Sequence, residues 1–137
     1  MTVLIVDGQG GGVGKTLIAK LKKALPTLRI IAVGTNSIAT SVMKKAGADI
    51  AATGENAVRV NARNAGVIAG PLGIIAADSL YGEITAQMAN SIAASDALKV
   101  LIPFNNCRIM VAGTDEKTAA AAIDDAVNTI VNAVNTN

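Results

Sequence analysis

"VLIVDGQGGGVGKTLIAKL", residues 3–21, sets five glycines within seven residues, between an apolar run and a lysine-bearing amphipathic one. Residues 2–7, "TVLIVD", are continuous, β-branched and ended by glycine, the pattern of a buried strand. Over residues 13–25, Leu17, Ile18, Leu21 and Leu25 recur at helical spacing, with Lys20, Lys22 and Lys23 off that face. Pro26 stops the helix. Strand, glycine loop and helix in succession form an arrangement suited to phosphate. Glycine lets a ligand come close, and the helix N-terminus offers free N–H groups and positive potential.

Working outward, the pattern repeats. "LRIIAVG" (28–34) reads as a second buried strand, and "NSIATSVMKKAG" (36–47) as a capped helix with lysines in its last turn. "DIAAT" (49–53) gives a short strand, and 55–64 a helix with Val58 and Ala62 on one face. "GVIAG" (66–70) is a fourth strand; 71–84 follows no recognisable period. Thr85 caps a helix running through Ala94. "LKVLIP" (98–103) and "CRIMVAG" (107–113) flank "FNN", which reads as a hairpin turn. Thr114 is the expected cap of a last helix whose face is Ile123, Val127, Ile130, Val131 and Val134. The expectation is a single α/β domain over 1–137, three-layered and Rossmann-like. Its sheet is mostly parallel, of five or six strands, with an antiparallel edge strand.

Composition removes several functions. A chain of 137 residues fits one well-buried core, and with 51% hydrophobic but 1% aromatic residues that core is aliphatic. Twelve basic against ten acidic residues leave a net charge of +2, too little to argue for nucleic acid. The stacking aromatics of single-strand binders are also missing. No apolar run approaches the roughly 20 residues that span a bilayer, so no membrane partner is expected. The absence of histidine and the single Cys107 exclude the usual zinc sites and histidine acid–base chemistry, and no metal ligand is expected. One cysteine, read as a small buried hydrophobe, and no leader pattern make the cytoplasm the expected location.

Three motif registers compete for the glycine loop. G-x-G-x-x-G needs glycine at position 9, which is Gln, and the P-loop pattern ending on Gly14-Lys15-Thr16 needs it there too. The register Gly8-x-x-x-Gly12-x-Gly14 fits completely and resembles the glycine motif of short-chain dehydrogenase/reductases. That resemblance implies NAD(P). It does not extend to their Tyr-x-x-x-Lys pair, because Thr85 stands four residues after Tyr81. The acidic ribose ligand expected at the end of the second strand is also replaced, by Gly34-Thr35-Asn36-Ser37. "GGGVGKT" (10–16) resembles the deviant Walker A of the ParA/MinD ATPases, with glycine in place of their signature lysine. That resemblance implies Lys15 on phosphate, Thr16 on magnesium and, less closely matched, Asp78 as the later aspartate. As a tight turn binding nothing, the loop would carry more glycines than a turn needs, each adding backbone entropy to be lost on folding.

Ligands of open α/β sheets bind at the carboxyl ends of strands. Those ends carry Asp7-Gly8-Gln9, Thr35-Asn36-Ser37, Thr53-Gly54-Glu55-Asn56, Gly70-Pro71 and Asn105-Asn106. The expected binding residues are therefore Asp7, Gly8, Gln9, Gly10, Gly11, Gly12, Val13, Gly14 and Lys15, with Thr35, Asn36, Thr53, Glu55, Asn56 and Gly70 along the rim. Taken singly, Asn36 and Thr53 read as helix caps. Asp78 and Glu83, flanking "SLYG", could form a catalytic or metal-binding pair but read better as a solvated loop, and "GPLGIIAADSLYG" as a lid or subunit contact.

End to end, the sequence resembles domain-of-unknown-function family 3842, short Rossmann-like proteins of anaerobic Gram-positive bacteria. The likeness rests on "VDGQGGGVGK", "GTNSIATSVMKKAGA", "ATGENAVRVNA", "GPLGIIAADSLYGEIT" and "KVLIPFNNCRIMVAG". It implies a small cytoplasmic protein and supplies no activity. The leading expectation is a sensing or regulatory module, homo-oligomeric, that binds a nucleotide, dinucleotide or phosphorylated metabolite over residues 8–14. The rival is a small enzyme, either an NAD(P)-dependent reductase or a P-loop-type phosphohydrolase using Lys15 and Thr16.

Overall fold

The computed structural model describes residues 1–103, 108–114 and 118–137. Strands and helices alternate along the chain. The first half holds β1 (Thr2–Asp7), α1 (Gly12–Ala24), β2 (Arg29–Gly34), α2 (Ser37–Lys45), β3 (Ile50–Thr53) and α3 (Glu55–Ala62). The second holds β4 (Val67–Pro71), α4 (Ala86–Ala93), β5 (Leu98–Ile102) and α5 (Ala119–Asn135). One five-stranded sheet runs in the order β3-β2-β1-β4-β5, and every pairing is parallel.

The unbroken apolar character of β1 follows from its central place. Val3 and Ile5 pack into the layer formed with α1, α2 and α5. Leu4 and Val6 face the opposite layer, with α3 and α4. A strand covered on both faces needs apolar residues at every position, so no alternation is visible. The helices are set by the signals read from the sequence. The Asn36 side chain accepts from Ala39 N at 2.9 Å to cap α2, and Thr85 Oγ1 accepts from Met88 N at 3.1 Å to cap α4. The C-terminal helix buries Ile123, Val127 and Ile130, as a packing helix should.

Strand order reverses at β1. β2 and β3 extend the sheet on one side; β4 and β5 extend it on the other. The carboxyl ends of β1 and β4 therefore feed helices on opposite faces and part from one another, which opens a crevice above them.

Two expectations change. No antiparallel edge strand exists among the described residues: 108 is a bend, 109–111 have no regular structure, 112–113 turn, and all pairings are parallel. Ile109, Met110 and Val111 are apolar, which suggested a strand, yet they stand 41%, 95% and 49% exposed. With no second layer over them, apolarity alone does not make a strand. The "FNN" turn, including Asn105 and Asn106, and Cys107 lie outside the described residues. The last helix begins after Thr118, whose hydroxyl accepts from Ala121 N at 3.1 Å, and not after Thr114. Both threonines offer the same cap four residues apart, and the helix uses the later one. The aperiodic segment 71–84 contains a 3₁₀ turn at Leu72–Ile75, followed by successive tight turns up to Thr85.

Candidate functional site

β1 ends on Asp7, and the chain turns over residues 8–11 into α1. Gly11 N donates to Gly8 O at 2.9 Å and closes the turn. Gly11 has φ 72°, and a Cβ there would lie 2.9 Å from Ala39 Cα of α2, so only glycine serves. Asp7 is 4% exposed, and its two oxygens accept from Gly8 N and Gly14 N, both at 2.8 Å. One carboxylate thus ties both ends of the loop from inside. Burial pushes the Asp7 carboxyl above its ordinary value, against the pull of N–H bonds from Gly14, Gly8 and Val13; the charge of Glu83 adds to the rise.

Glu83 comes from the aperiodic segment, far along the chain, and docks on the loop's other side. Its Oε1 accepts from Gln9 N at 2.9 Å, Thr35 Oγ1 at 2.6 Å and Asn36 Nδ2 at 2.8 Å. Burial acts to raise the Glu83 carboxyl, but bonds from Thr35, Gln9 and Asn36 outweigh it and hold the group below its ordinary value. Asn36 Nδ2 also donates to Gln9 O at 2.9 Å. Glu83 was expected in a solvated loop; it instead joins the ends of β1 and β2. Its hydroxyl and amide partners were visible in the sequence, but nothing in the spacing linked them to it.

At the point where strand order reverses lies a cavity of about 200 Å³, lined by residues 7–13 with Pro71, Gly73 and Leu80. Three of the five loop glycines are explained by packing. Besides Gly11, a Cβ at Gly14 would overlap Met43 Sδ and meet Asp7 Cβ at 3.1 Å. A Cβ at Gly8 would meet Thr35 Oγ1 at 2.7 Å and Leu80 Cδ1 at 2.9 Å. Gly10 and Gly12 differ: a Cβ at either meets nothing within 4 Å. Gly12 also opens α1, so its N–H has no carbonyl one turn back within the helix.

The remaining expected residues divide. Thr35 and Asn36 reach the loop through Glu83, as above. Thr53 Oγ1 pairs instead with Thr40 Oγ1 at 2.6 Å, Glu55 Oε1 accepts from Thr85 Oγ1 at 2.6 Å, and Asn56 Oδ1 accepts from Arg59 Nε at 3.0 Å. None of those three borders the cavity. Gly70 packs flush on the Val6 carbonyl, where any side chain would overlap it. Lys15 is exposed and outside the cavity lining, and Thr16 Oγ1 donates to Gly12 O at 2.9 Å, an ordinary helix back-bond. Pro71, named at the end of its strand, lines the cavity, as do Gly73 and Leu80, which were not singled out individually. Among the described residues no three His, Cys, Asp or Glu side chains converge to hold a metal ion, and no helix is long and apolar enough to cross a membrane.

A family model described as "Domain of unknown function (DUF3842)" matches residues 2–135. The chain belongs to this family. That bears out the resemblance read from the sequence strings. No curated protein matches the chain. Among solved structures, the dodecameric FMN-dependent Ubix-like decarboxylase from Escherichia coli O157:H7 is similar at 15% identity and TM-score 0.55, over 96% of this chain and 93% of that one. AibC is similar at 18% identity and TM-score 0.50, over 96% of this chain and 42% of that one, so the match spans under half of AibC. At these identities the likeness supports the α/β fold of the DUF3842 chain and nothing finer.

Proposed function

We propose that the chain is a small-ligand-binding module whose site is the crevice between the ends of β1 and β4. The bound group is the phosphate of a mononucleotide or smaller phosphate ester, seated on the main chain at Gly10 and Gly12. The observation that carries this reading is the division of labour among the glycines. The fold itself accounts for Gly8, Gly11 and Gly14, while Gly10 and Gly12 leave bare main chain at the mouth of the cavity. Bare main chain at the start of a helix favours an anion.

Size narrows the ligand. About 200 Å³ falls below the roughly 300–1,000 Å³ of pockets that enclose drug-sized molecules. A phosphoryl group with part of its ester fits within, and the rest of a larger ligand would lie outside the cavity. The NAD(P) reading lacks an acid at the end of β2, where Asn36 is already committed to Ala39, Gln9 and Glu83. The P-loop reading lacks its lysine, since Lys15 lies outside the cavity. Flavin mononucleotide is the first ligand to try, because the Escherichia coli protein of similar fold is FMN-dependent and FMN ends in one phosphate. Self-association belongs to the same reading. Its support is the exposed apolar run Ile109–Met110–Val111 and the dodecameric state of that same protein.

The test is ¹H–¹⁵N NMR titration with FMN, a mononucleotide, inorganic phosphate and NAD. Saturable shifts centred on the Gly10 and Gly12 amides are expected with the first three. Unmoved amides at millimolar FMN, mononucleotide and phosphate would reject the site.

A further inference from the structure

We infer that Gln9 N, Thr35 Oγ1 and Asn36 Nδ2 form a second binding subsite, for the carboxylate of a ligand, which Glu83 occupies as a displaceable internal stand-in. The three donors belong to the β1 loop, the end of β2 and the cap of α2, and all converge on the single oxygen Oε1 at 2.6–2.9 Å. An N–H, an O–H and an amide N–H₂ aimed at one point form an oxyanion receptor, and charged acceptors make the stronger, shorter bonds there.

Charge selects the guest. The Lys20–Asp124 and Lys22–Asp49 ion pairs do not involve Glu83. The neighbouring charged group is Asp7, whose own carboxyl the Glu83 charge pushes upward. A receptor made of neutral donors beside an acid suits one negative charge and disfavours two. A carboxylate meets that condition, as its present occupant does.

Glu83 stands at the end of an exposed tight turn. Asp78, Leu80 and Tyr81 have φ of 66°, 54° and 55°, in the left-handed region that leucine and tyrosine rarely adopt. Tyr81 is 95% exposed, so the turn is anchored from beneath, by Leu80 against Gly8 and by buried Ile84. The turn is held by its own main-chain bonds, from Asp78 N to Ile84 O at 2.8 Å and from Ile84 N to Ser79 O at 3.2 Å, so the Glu83 side chain can leave the receptor while the turn and the following helix α4 stay in place. A ligand carboxylate then competes with a tethered one, and its apparent affinity is lowered by the fraction of time the receptor stands empty.

Chemical rescue tests this on the full chain, and independently of the phosphate reading, because the reporting amides differ. In Glu83→Ala the receptor is permanently vacant. Acetate at tens of millimolar, matched against chloride at equal ionic strength, should raise the melting temperature of the variant and leave that of the wild type unchanged. Acetate should also shift the Gln9 amide and Asn36 side-chain resonances at a concentration roughly tenfold lower, or more, than the wild type requires. Glu83→Gln preserves side-chain volume with a neutral, weaker acceptor, and should show the same effects to a lesser degree; it serves if the alanine variant does not fold. Equal melting temperatures in acetate and chloride for both variants, with Gln9 unshifted, would overturn the inference and leave Glu83 a purely structural clasp. Shifts at Gly10 and Gly12 with FMN in that same outcome would show the phosphate site intact without it.

Discussion

Alanine at two glycines of one helical turn should move stability in opposite directions. At Gly14 the new Cβ overlaps Met43 Sδ and stands 3.0 Å from Met43 Cγ and 3.1 Å from Asp7 Cβ. Met43 is fully buried, so its thioether must move within a close-packed layer. Overpacking of this kind costs about 1–3 kcal/mol, against which alanine returns about 0.5–1 kcal/mol of helix propensity. The net for Gly14→Ala is a loss of about 1–2 kcal/mol. At Gly12 the Cβ meets nothing within 4 Å, and the loss term vanishes. Gly12→Ala keeps only the gain, smaller than in a helix interior, of about 0.5 kcal/mol. For a chain of this length each kcal/mol moves the melting temperature by about 3–5 °C. Thermal unfolding followed by circular dichroism should therefore separate the two variants by roughly 5–10 °C, with wild type between them. The Gly12 methyl, harmless to the fold, should still weaken FMN or phosphate binding by shielding the bare main chain. Equal destabilisation by both substitutions would refute the assignment of Gly14 to packing and Gly12 to the ligand. A stabilised Gly12→Ala that binds as wild type would leave the fold account standing and remove the ligand account.

Lys15→Ala should change neither ligand binding nor stability by more than about 0.5 kcal/mol, since the side chain is exposed and outside the cavity; a tenfold loss of phosphate affinity would restore the P-loop reading. Two aspartates should give pH profiles of opposite slope. Asp49 is held below its ordinary value, first by the Ile30 N–H and then by Lys22, so its stabilisation is present above the ordinary carboxylate range and fades as pH falls through the lowered value. Asp7 is raised, so its contribution is complete below the ordinary value and is lost as pH climbs through the elevated one. Melting curves should accordingly show the wild-type advantage over Asp49→Asn growing up to about pH 4, and that over Asp7→Asn shrinking above it. Slopes of the same sign would contradict the opposed environments of the two groups.

The parallel sheet was legible because burial on both faces leaves a local mark. β1, β2 and β4 are continuous apolar runs, and each cap at Asn36 and Thr85 sits next to the helix it starts. The expected edge strand over 107–113 was misread because apolarity reports what a segment prefers to touch and not whether anything covers it; Met110 is 95% exposed. The site divides the same way. Asp7 lies seven residues from Gly14, and an acid at a strand end just before a glycine loop is a signal a reader can use. Glu83 lies 74 residues from Gln9, and only the turns that bring the 3₁₀ segment back over β1 place them together. No periodicity encodes that meeting.

The glycine register itself illustrates how far a motif can carry chemistry. Gly8, Gly12 and Gly14 match the short-chain dehydrogenase/reductase pattern in full, which pointed toward a dinucleotide. Two of the three are fixed by neighbours of this chain alone: Gly8 by Thr35 and Leu80, Gly14 by Met43 and Asp7. Both have their amides taken by Asp7, so neither N–H is offered to a ligand. The register is therefore largely a record of how closely α1 and the Glu83 segment approach the end of β1. What speaks for a ligand is the residue pair the register half ignores, Gly10 and Gly12. These two have room for side chains and carry none. At Gly12 a fold needing only closeness would have used alanine, since alanine at an unhindered helical start is favoured over glycine; Gly10 lies in the preceding turn.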